Sequence, residues 1–486
     1  MTRTTSILDQ YPDYEINIGM EVHVQLTTKS KIFCTCSNAK TDKPNTNICQ
    51  ICAGHPGVLP VLNKQVVEKA IFAGLATQSS ISSKTDFARK HYFYPDLPKG
   101  FQTTQSTRPI CTEGLVRIRL ENNQEKDVRL IRIHMEEDAG KNIHAGDQNE
   151  SFVDLNRAGT PLLEIVSYPD IASTAEAKAY LKSLRNIVVY LGICTGNMED
   201  GNLRADTNIS VRKKGSKQLG TRCELKNINS FKFIGDAIEF EIERQIELIK
   251  SGGTVKQETR LWDTKAKQTV PMRSKEEAAD YRYFTEPDLP ILKIDQIWIE
   301  RVRARMPELP NQKYTRLMNE FSLSSYEADI LVNDRQLAQY YEQTAKINSS
   351  KQTINWILRD VMSYLKAHKM SPAQCKVTPT KLAQIISMLE EGTINSHAAK
   401  TIFETIAETG QTPETVMNEK GLKQIGSTED LEKIVIAILK EHPDMVQAYK
   451  EGKDKLFGFF VGQAMQKTQG KGSPQIIQAL LKKHLV

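Results

Sequence analysis

The chain has 486 residues, more than one hydrophobic core usually organises, and a domain size of about 150 residues predicts roughly three domains. Charged residues make up 26% of it, and no apolar run approaches the ~20 residues of a membrane-spanning helix, which argues against a membrane protein. The first residues also lack the apolar stretch of a signal peptide, so we expect a cytoplasmic protein. A net charge of +6 is compatible with a polyanionic partner.

The N-terminal half carries the patterns of β-strands. Apolar and polar residues alternate from Ile16 to Leu26 and again from Leu203 to Val211, as in half-buried strands. Residues 116–120 and 128–130, separated by a polar turn, predict a hairpin. An amphipathic helix is indicated over residues 231–249. This half therefore predicts an α+β fold.

The second half has helical periodicity and two breaks. Prolines in the segment from Met306 to Pro310 end the first domain, and a second break falls at Gly410–Pro413. From position 450 onward, seven lysines face one glutamate and one aspartate, which gives this stretch a net charge of +5. We therefore predict an α+β domain at 1–306, a helical domain at 311–408 and a helical tail domain at 411–486.

Four cysteines lie within the loop of residues 34–52. The spacing of Cys34, Cys36, Cys49 and Cys52 gives two close thiolate pairs, which is what a tetrahedral zinc site needs. The alternative is that the four side chains are simply packed as small apolar groups, but the loop between them is polar. Four thiolates leave no open coordination position, so a zinc ion held here would be structural.

Carboxylates recur at strand ends and turns. Glu21 and His23 share one face of the first strand, about 6.6 Å apart at ~3.3 Å per residue, although a solvated strand face would look the same. Residues 134–138, HMEED, hold three adjacent carboxylates. Because neighbours on a strand point to opposite faces, Glu136 and Glu137 cannot both face one ion.

Further charged residues continue this character. Glu164 lies inside an apolar stretch, where a buried charge needs a partner. Two alternating segments place charged or polar groups on one face, namely Arg204, Asp206 and Asn208, and Arg222, Glu224 and Lys226. Each cluster alone is compatible with a structural role, but together they favour a magnesium and phosphate site. The chain has no glycine-rich phosphate-binding loop of the common kinds.

Six long strings give the most specific information. They are IGMEVHVQL (18–26), RKHYFYPDLPKG (89–100), HMEEDAGK (134–141), DLNRAGTPLLEIVS (154–167), ELKNINSF (224–231) and DYRYFTEPDLP (280–290). Together, and in this order, they resemble the B subunit of the heterotrimeric aspartyl/glutamyl-tRNA amidotransferases. The resemblance runs from about residue 14 to the C-terminus.

The resemblance implies a reaction on tRNA. Members of that family phosphorylate, with ATP, the side-chain carboxylate of Glu on tRNA(Gln) or Asp on tRNA(Asn), and ammonia then displaces the phosphate. The implied fold is a β-rich catalytic cradle that contains the cysteine loop, followed by a helical domain and a tail that hold tRNA. The implied partners are the amidase (glutaminase) or A subunit, which supplies ammonia from glutamine, and the small C subunit.

The resemblance also assigns the site. Carried over by motif, the magnesium ligands and activation site are Glu21, His23, Glu137, Glu164, Asp206 and Glu224. Arg204 and Lys226 stand beside them, and their charge and spacing predict contacts with phosphate oxygens of ATP. Histidine is an unusual ligand for Mg²⁺, so manganese is a second candidate at His23.

Two other functions remain open on the residues alone. One is a tRNA-binding assembly factor in which zinc and carboxylates serve only stability. The other is a metal-dependent nuclease, because carboxylate clusters with magnesium also cut phosphodiesters. The sequence does not distinguish Glu-tRNA(Gln) from Asp-tRNA(Asn) as the physiological substrate.

Overall fold

The structure is a computed structural model that describes residues 7–144, 150–226, 228–272, 281–424, 428–468, 470 and 472–485. Three positions used above, Asn227, Asp280 and Lys471, lie outside the described residues. No described helix is long and apolar enough to cross a bilayer.

The described strands lie in the N-terminal part of the chain. They are β1 (Tyr14–Gln25), β2 (Ser80–Ile81), β3 (Lys84–Thr85), β4 (Ala88–His91), β5 (Phe101–Thr104), β6 (Cys111–Thr112), β7 (Leu115–Arg119), β8 (Glu125–Glu137), β9 (Lys141–His144), β10 (Ser151–Asp154), β11 (Pro161–Ser167), β12 (Leu203–Lys213), β13 (Cys223–Lys226), β14 (Thr259–Asp263), β15 (Gln268–Pro271), β16 (Phe284–Thr285) and β17 (Leu292–Lys293).

The helices dominate the second half. They are α1 (Lys64–Ala76), α2 (Thr174–Tyr190), α3 (Phe231–Lys250), α4 (Gln296–Arg303), α5 (Pro310–Phe321), α6 (Ser325–Asn333), α7 (Arg335–Ala345), α8 (Lys351–Trp356), α9 (Met362–Ala367), α10 (Pro379–Glu390), α11 (Ser396–Thr409), α12 (Pro413–Glu419), α13 (Thr428–Glu441), α14 (Pro443–Lys450), α15 (Leu456–Lys467) and α16 (Pro474–Leu485). A π-helical turn, Ile357–Val361, joins α8 to α9.

One large sheet organises the first part of the chain. Its main path runs β15-β14-β13-β12-β1-β11-β8-β5-β4-β16 among the described strands. The pairs along this path are antiparallel except β13 with β14, as expected for an α+β fold. The predicted hairpin is formed by β7 and β8, and the two alternating segments are β1 and β12, so these three predictions are confirmed.

The two faces of the sheet differ in character. On β1, the side chains from Ile16 to Val24 that alternate toward one face are almost completely buried, in a core shared with α1, α2 and α3. Helix α3 begins where Ser230 accepts a hydrogen bond from the Phe233 amide at 3.1 Å, which confirms the predicted helix. Because helices cover the apolar face, the polar face of β1 is left for other groups.

The chain divides into two compact units, Met1–Thr315 and Arg316–Val486. In the second unit, α12 packs against α10 and α11, while α13 to α16 enclose a core of their own around Phe460. Trp356, Ile357, Val361 and Leu365 form a buried apolar stripe, although the π-helical turn interrupts the helix there. The division into three domains at 306–311 and 408–411 stays a prediction.

Candidate active site and metal centre

Four neighbouring strands bring the predicted polar residues into rows across the sheet. His134 on β8 is opposite Glu164 on β11, Glu164 is opposite His23 on β1, and His23 is opposite Arg204 on β12. Two positions away along β1 and β12, Glu21 is opposite Asp206. Opposed residues on adjacent strands have their side chains on the same face, so this register assembles a polar surface from four distant segments.

A histidine and two glutamates form the tightest group on this surface. The His23 Nε2 atom lies 3.4 Å from a carboxylate oxygen of Glu136 and 3.6 Å from one of Glu164. One donor atom from each of the three residues lies within 4.8 Å of the others, which is the arrangement that a divalent cation would occupy. Glu136 and Glu164 are buried, so their charges need such a partner.

His134 lies beneath this group as a second partner of the same carboxylates. Its Nε2 atom is 3.0 Å from Glu164 and 3.6 Å from Glu136. Burial would lower the pKa of His134, but its bonds to the two glutamates raise that pKa to about 9. Burial likewise would raise the pKa of Glu164, but the hydrogen bond from His134 holds it below its usual range. His134 therefore keeps both carboxylates ionised and available as ligands.

A second group extends the surface across β12 and β13. The Lys226 ammonium is 3.2 Å from Asp206 and 3.1 Å from Glu224, and the Asn208 amide donates to Glu21 at 2.9 Å. Burial, and then repulsion from the nearby Glu164 and Glu224 carboxylates, raises the pKa of Glu21. A carboxylate repelled by its neighbours gains from an added cation, so the surface fits divalent metal.

Arg204 has a partner that the sequence did not suggest. Its guanidinium donates to Asp138 at 2.9 Å, and Arg157 approaches the same carboxylate at 3.5 Å. Arg204 is partly exposed, so part of its donor capacity faces outward at the border of the polar surface.

Glu137 points away from the other predicted ligands. Its carboxylate accepts a hydrogen bond from the Thr103 amide at 2.8 Å and pairs with Lys99. The adjacent Glu136 has the place beside His23 instead. The structure thus brings together five of the six predicted magnesium ligands on one face and leaves Glu137 on the opposite face. Its assigned role in catalysis stays a prediction.

Sequence reasoning missed His134 and Glu136 as site residues, although a signal was present. The rule used for Glu21 and His23, that residues two apart on a strand share a face, applies equally to His134 and Glu136. The choice of Glu137 came from the resemblance and not from that rule.

The four cysteines meet in a compact cluster. The sulfur atoms of Cys36 and Cys52 are 4.0 Å apart and those of Cys49 and Cys52 are 3.8 Å apart. Such separations exclude a disulfide and match the ~3.8 Å edge of a tetrahedron with zinc–sulfur bonds of about 2.3 Å. A hydrogen bond from Cys34 is the main reason that the pKa of Cys52 falls to about 4. The donor set therefore fits zinc.

The cysteine loop is tied to the segment that precedes β11. Asn156 accepts hydrogen bonds from the amides of Thr46 and Asn47, both at 2.8 Å, and Asn45 donates to the Val153 carbonyl at 2.9 Å. These bonds hold the loop at a fixed place next to the sheet.

We expect protein purified without added metal to contain one zinc ion per chain. Elemental analysis measures it, and Cys52→Ser should lose the metal because only three thiolates remain. Cys375→Ser, which changes a buried cysteine outside the cluster, is the matched control and should retain it. Well-folded wild-type protein with almost no zinc would leave the four cysteines as packing residues.

Comparison with known proteins places the chain in one family. Residues 16–300 match the family described as the GatB/GatE catalytic domain, and residues 339–485 match the GatB domain. The B subunit of the aspartyl/glutamyl-tRNA(Asn/Gln) amidotransferase from Syntrophotalea carbinolica is 50% identical over 473 residues, which are 97% of this chain and 98% of that protein. The proteins of the same name from Geobacter sp. strain M21 and Nitrosococcus oceani are 51% and 48% identical, over 97% of this chain and 99% of each protein. This chain therefore belongs to the family of aspartyl/glutamyl-tRNA(Asn/Gln) amidotransferase B subunits.

Proposed function

We propose that this chain activates the side-chain carboxylate of Glu or Asp on misacylated tRNA by transferring a phosphoryl group to it from ATP. Ammonia then attacks the activated carbonyl carbon, phosphate leaves, and the products are Gln-tRNA(Gln) or Asn-tRNA(Asn). The enzyme is thus a glutamine-hydrolysing, tRNA-dependent ligase. The observation that carries this proposal is the group of His23, Glu136 and Glu164 on the polar face of the sheet, in a chain of this family.

The chemistry explains why such a surface is needed. A carboxylate resists attack by ammonia until one of its oxygens becomes a good leaving group, and phosphorylation provides that leaving group. Phosphoryl transfer depends mainly on positioning and on neutralising charge. A divalent cation held by these side chains, magnesium or manganese, would supply part of that neutralising charge.

Other side chains would supply fixed charges. Lys226 keeps its proton because Asp206 and Glu224, which outweigh the effect of burial, raise its pKa. An ammonium at that position can meet phosphate oxygens, and Arg204 can do so from the border of the surface. In this proposal the three other carboxylates have one of two roles. Asp206 and Glu224, which pair with Lys226, and Glu21, which accepts a hydrogen bond from Asn208, help to hold the cation or orient the side chains that they contact.

The remaining assignments concern partners and cofactors. The four cysteines outside the cluster, Cys111, Cys194, Cys223 and Cys375, are all buried, so none of them is an accessible nucleophile for releasing ammonia from glutamine. We propose that an amidase partner, the A subunit, supplies ammonia, that a small C subunit completes the complex, and that the tail domain binds tRNA. Zinc in the cysteine cluster is structural in this scheme. A role in protein synthesis supports the expected cytoplasmic location.

We expect the assembled complex to cleave ATP only when misacylated tRNA is present. Phosphate release should be stoichiometric with Gln-tRNA or Asn-tRNA formed, and assaying each misacylated tRNA identifies the substrate. Correctly charged Gln-tRNA is the control, since its side chain has no carboxylate to activate. An assembly factor would show no ATP cleavage, and a nuclease would shorten tRNA in the presence of magnesium.

A further inference from the structure

Two of the six family strings, those at 89–100 and 280–290, have no part in the proposed chemistry. Segments of these two strings lie next to each other in the structure. The His91 amide donates a hydrogen bond to the Tyr281 carbonyl at 2.9 Å, and β16 pairs with β4 so that Phe284 is opposite Arg89. Segments separated by about 190 positions in the chain therefore present their tyrosines side by side.

These tyrosines form a continuous row. The ring centroids of Tyr94 and Tyr92 are 6.1 Å apart, those of Tyr92 and Tyr281 are 6.2 Å apart, and those of Tyr281 and Tyr283 are 6.1 Å apart, all edge to face. The two ends are open, because Tyr94 is 55% exposed and Tyr283 is 46% exposed. We call Tyr94, Tyr92, Tyr281 and Tyr283 the tyrosine row.

The row borders the carboxylate group of the proposed active site. The Lys90 ammonium lies 4.8 Å from the centre of the Tyr281 ring and 6.0 Å from that of Tyr92. Partial burial is the main cause of a raised pKa at Tyr283, and the Glu164 and Glu136 carboxylates contribute to it while Lys90 opposes it. The sheet register gives the geometric link: Ala88 is opposite Thr104, and Thr104 is opposite Glu136 and donates a hydrogen bond to its carboxylate at 3.2 Å. Lys90, two positions from Ala88 on β4, is therefore on the same face of the sheet as Glu136. The part of the row that contacts Lys90 thus lies on the face that carries the carboxylate group.

We propose that the tyrosine row is a stacking platform for an adenine base, with Tyr283 as the exposed ring on which the base lies. This inference rests on the proposed function, since both substrates of that reaction carry adenine: ATP, and the 3′-terminal adenosine of the tRNA, whose ester holds the amino acid. Either source would bring its reacting group to the nearby carboxylates.

The composition of the platform favours a nucleotide over an apolar peptide. Tyrosine rings stack on an unpaired base whichever base it is, and an ammonium beside the rings attracts the phosphate of the same nucleotide. Tyr283 and Tyr94 also keep a large aromatic surface exposed to water at the border of a charged site, where core packing would not place it. Their hydroxyls can remain hydrated while the ring faces are covered.

Fluorescence of 2-aminopurine tests the platform directly, because stacking on an aromatic ring quenches it. One arm uses 2-aminopurine riboside triphosphate, and the other uses misacylated tRNA with 2-aminopurine at its 3′ end, each with the assembled complex. Quenching in the first arm assigns the platform to ATP and quenching in the second assigns it to tRNA. Tyr283→Phe should preserve the quenching and Tyr283→Ala should remove it.

The same variants should separate in kinetics. Tyr283→Ala should raise KM for the substrate whose 2-aminopurine analogue is quenched, either ATP or misacylated tRNA, by about five- to a hundredfold, the usual cost of losing one stacked base. KM for the substrate that is not quenched should stay nearly constant. Tyr168→Ala, which alters a tyrosine stacked on Arg129 instead, is the control. A wild-type complex that performs the reaction while neither arm is quenched and Tyr283→Ala changes neither KM would overturn the platform. A wild-type complex without tRNA-dependent ATP cleavage would overturn the proposed function itself.

Discussion

Replacing Glu164 with Gln should lower tRNA-dependent ATP cleavage by about 10²- to 10³-fold, the usual cost of removing one charged group from a preorganised site. Glu164, like Glu136, lies near both His23 and His134, and its carboxylate is 3.6 Å and 3.0 Å from their Nε2 atoms. The amide has nearly the same shape but no charge, so it weakens cation binding and leaves the buried His134 with one anionic partner instead of two. Glutamine hydrolysis by the proposed amidase partner should persist, because it needs no phosphoryl transfer.

The measurement follows phosphate release and glutamate release in the same complex. Asp127→Asn is the matched control, since this exposed carboxylate lies on the same strand, β8, and pairs with Arg117 outside the site. Glu136→Gln should behave like Glu164→Gln, whereas the role assigned to Glu137 requires that Glu137→Gln also lowers ATP cleavage. Near-normal amide formation by the Glu164 variant would show that the proposed activation site is wrong.

The local pattern of residues predicted which side chains of the candidate site share a face, because alternation along a strand fixes the face of each side chain. Glu21 and His23 were placed correctly on one face by this rule alone, and the polar positions of β12 followed the same way. At the end of β8, the same rule puts Glu136 and Glu137 on opposite faces of the sheet. It does not say which of them shares a face with Glu164 on β11. The neighbouring strand decides that question, since the partner of Glu164 is His134 and the residue two positions on is Glu136.

Contacts between distant segments were beyond what the pattern could predict. The strand order brings β11 between β1 and β8, although more than a hundred residues separate β1 from β11. The pairing of Arg204 with Asp138 depends on that order, as does the meeting of the two tyrosine segments. Spacing within one segment carries no signal about its neighbours in the sheet.

The cysteine cluster shows the opposite case. Its four residues lie within one short loop, so local spacing was sufficient to predict that their sulfur atoms would meet. The helical second half was also evident from its periodicity, while the π-helical turn at Ile357–Val361 was not, because the buried stripe continues through it.

The charge of the tail is less uniform than the sequence suggested. Lys483 lies 2.9 Å from Glu432, and Lys467 lies 2.6 Å from Glu441, so two of the seven lysines are neutralised by α13. Lys450, Lys453 and Lys455 are exposed, and we find no ion pair for them in the part of the chain that the structure describes. These three lysines, at the last position of α14 and in the turn that leads to α15, are the better candidates for contacts with tRNA phosphates.

We therefore expect the triple change of Lys450, Lys453 and Lys455 to Gln to weaken tRNA binding and flatten its salt dependence. Each lysine that neutralises a phosphate contributes about 0.9 to the slope of log affinity against log salt, so three contribute roughly a 40-fold change between 50 and 200 mM salt. KM for misacylated tRNA should rise accordingly, while kcat at saturating tRNA falls far less because the carboxylates that carry the chemistry are unchanged.

The double change of Lys467 and Lys483 to Gln is the control, and it should have the smaller effect because those side chains are already paired. If the triple variant kept the wild-type KM and salt slope, these lysines would not contact tRNA.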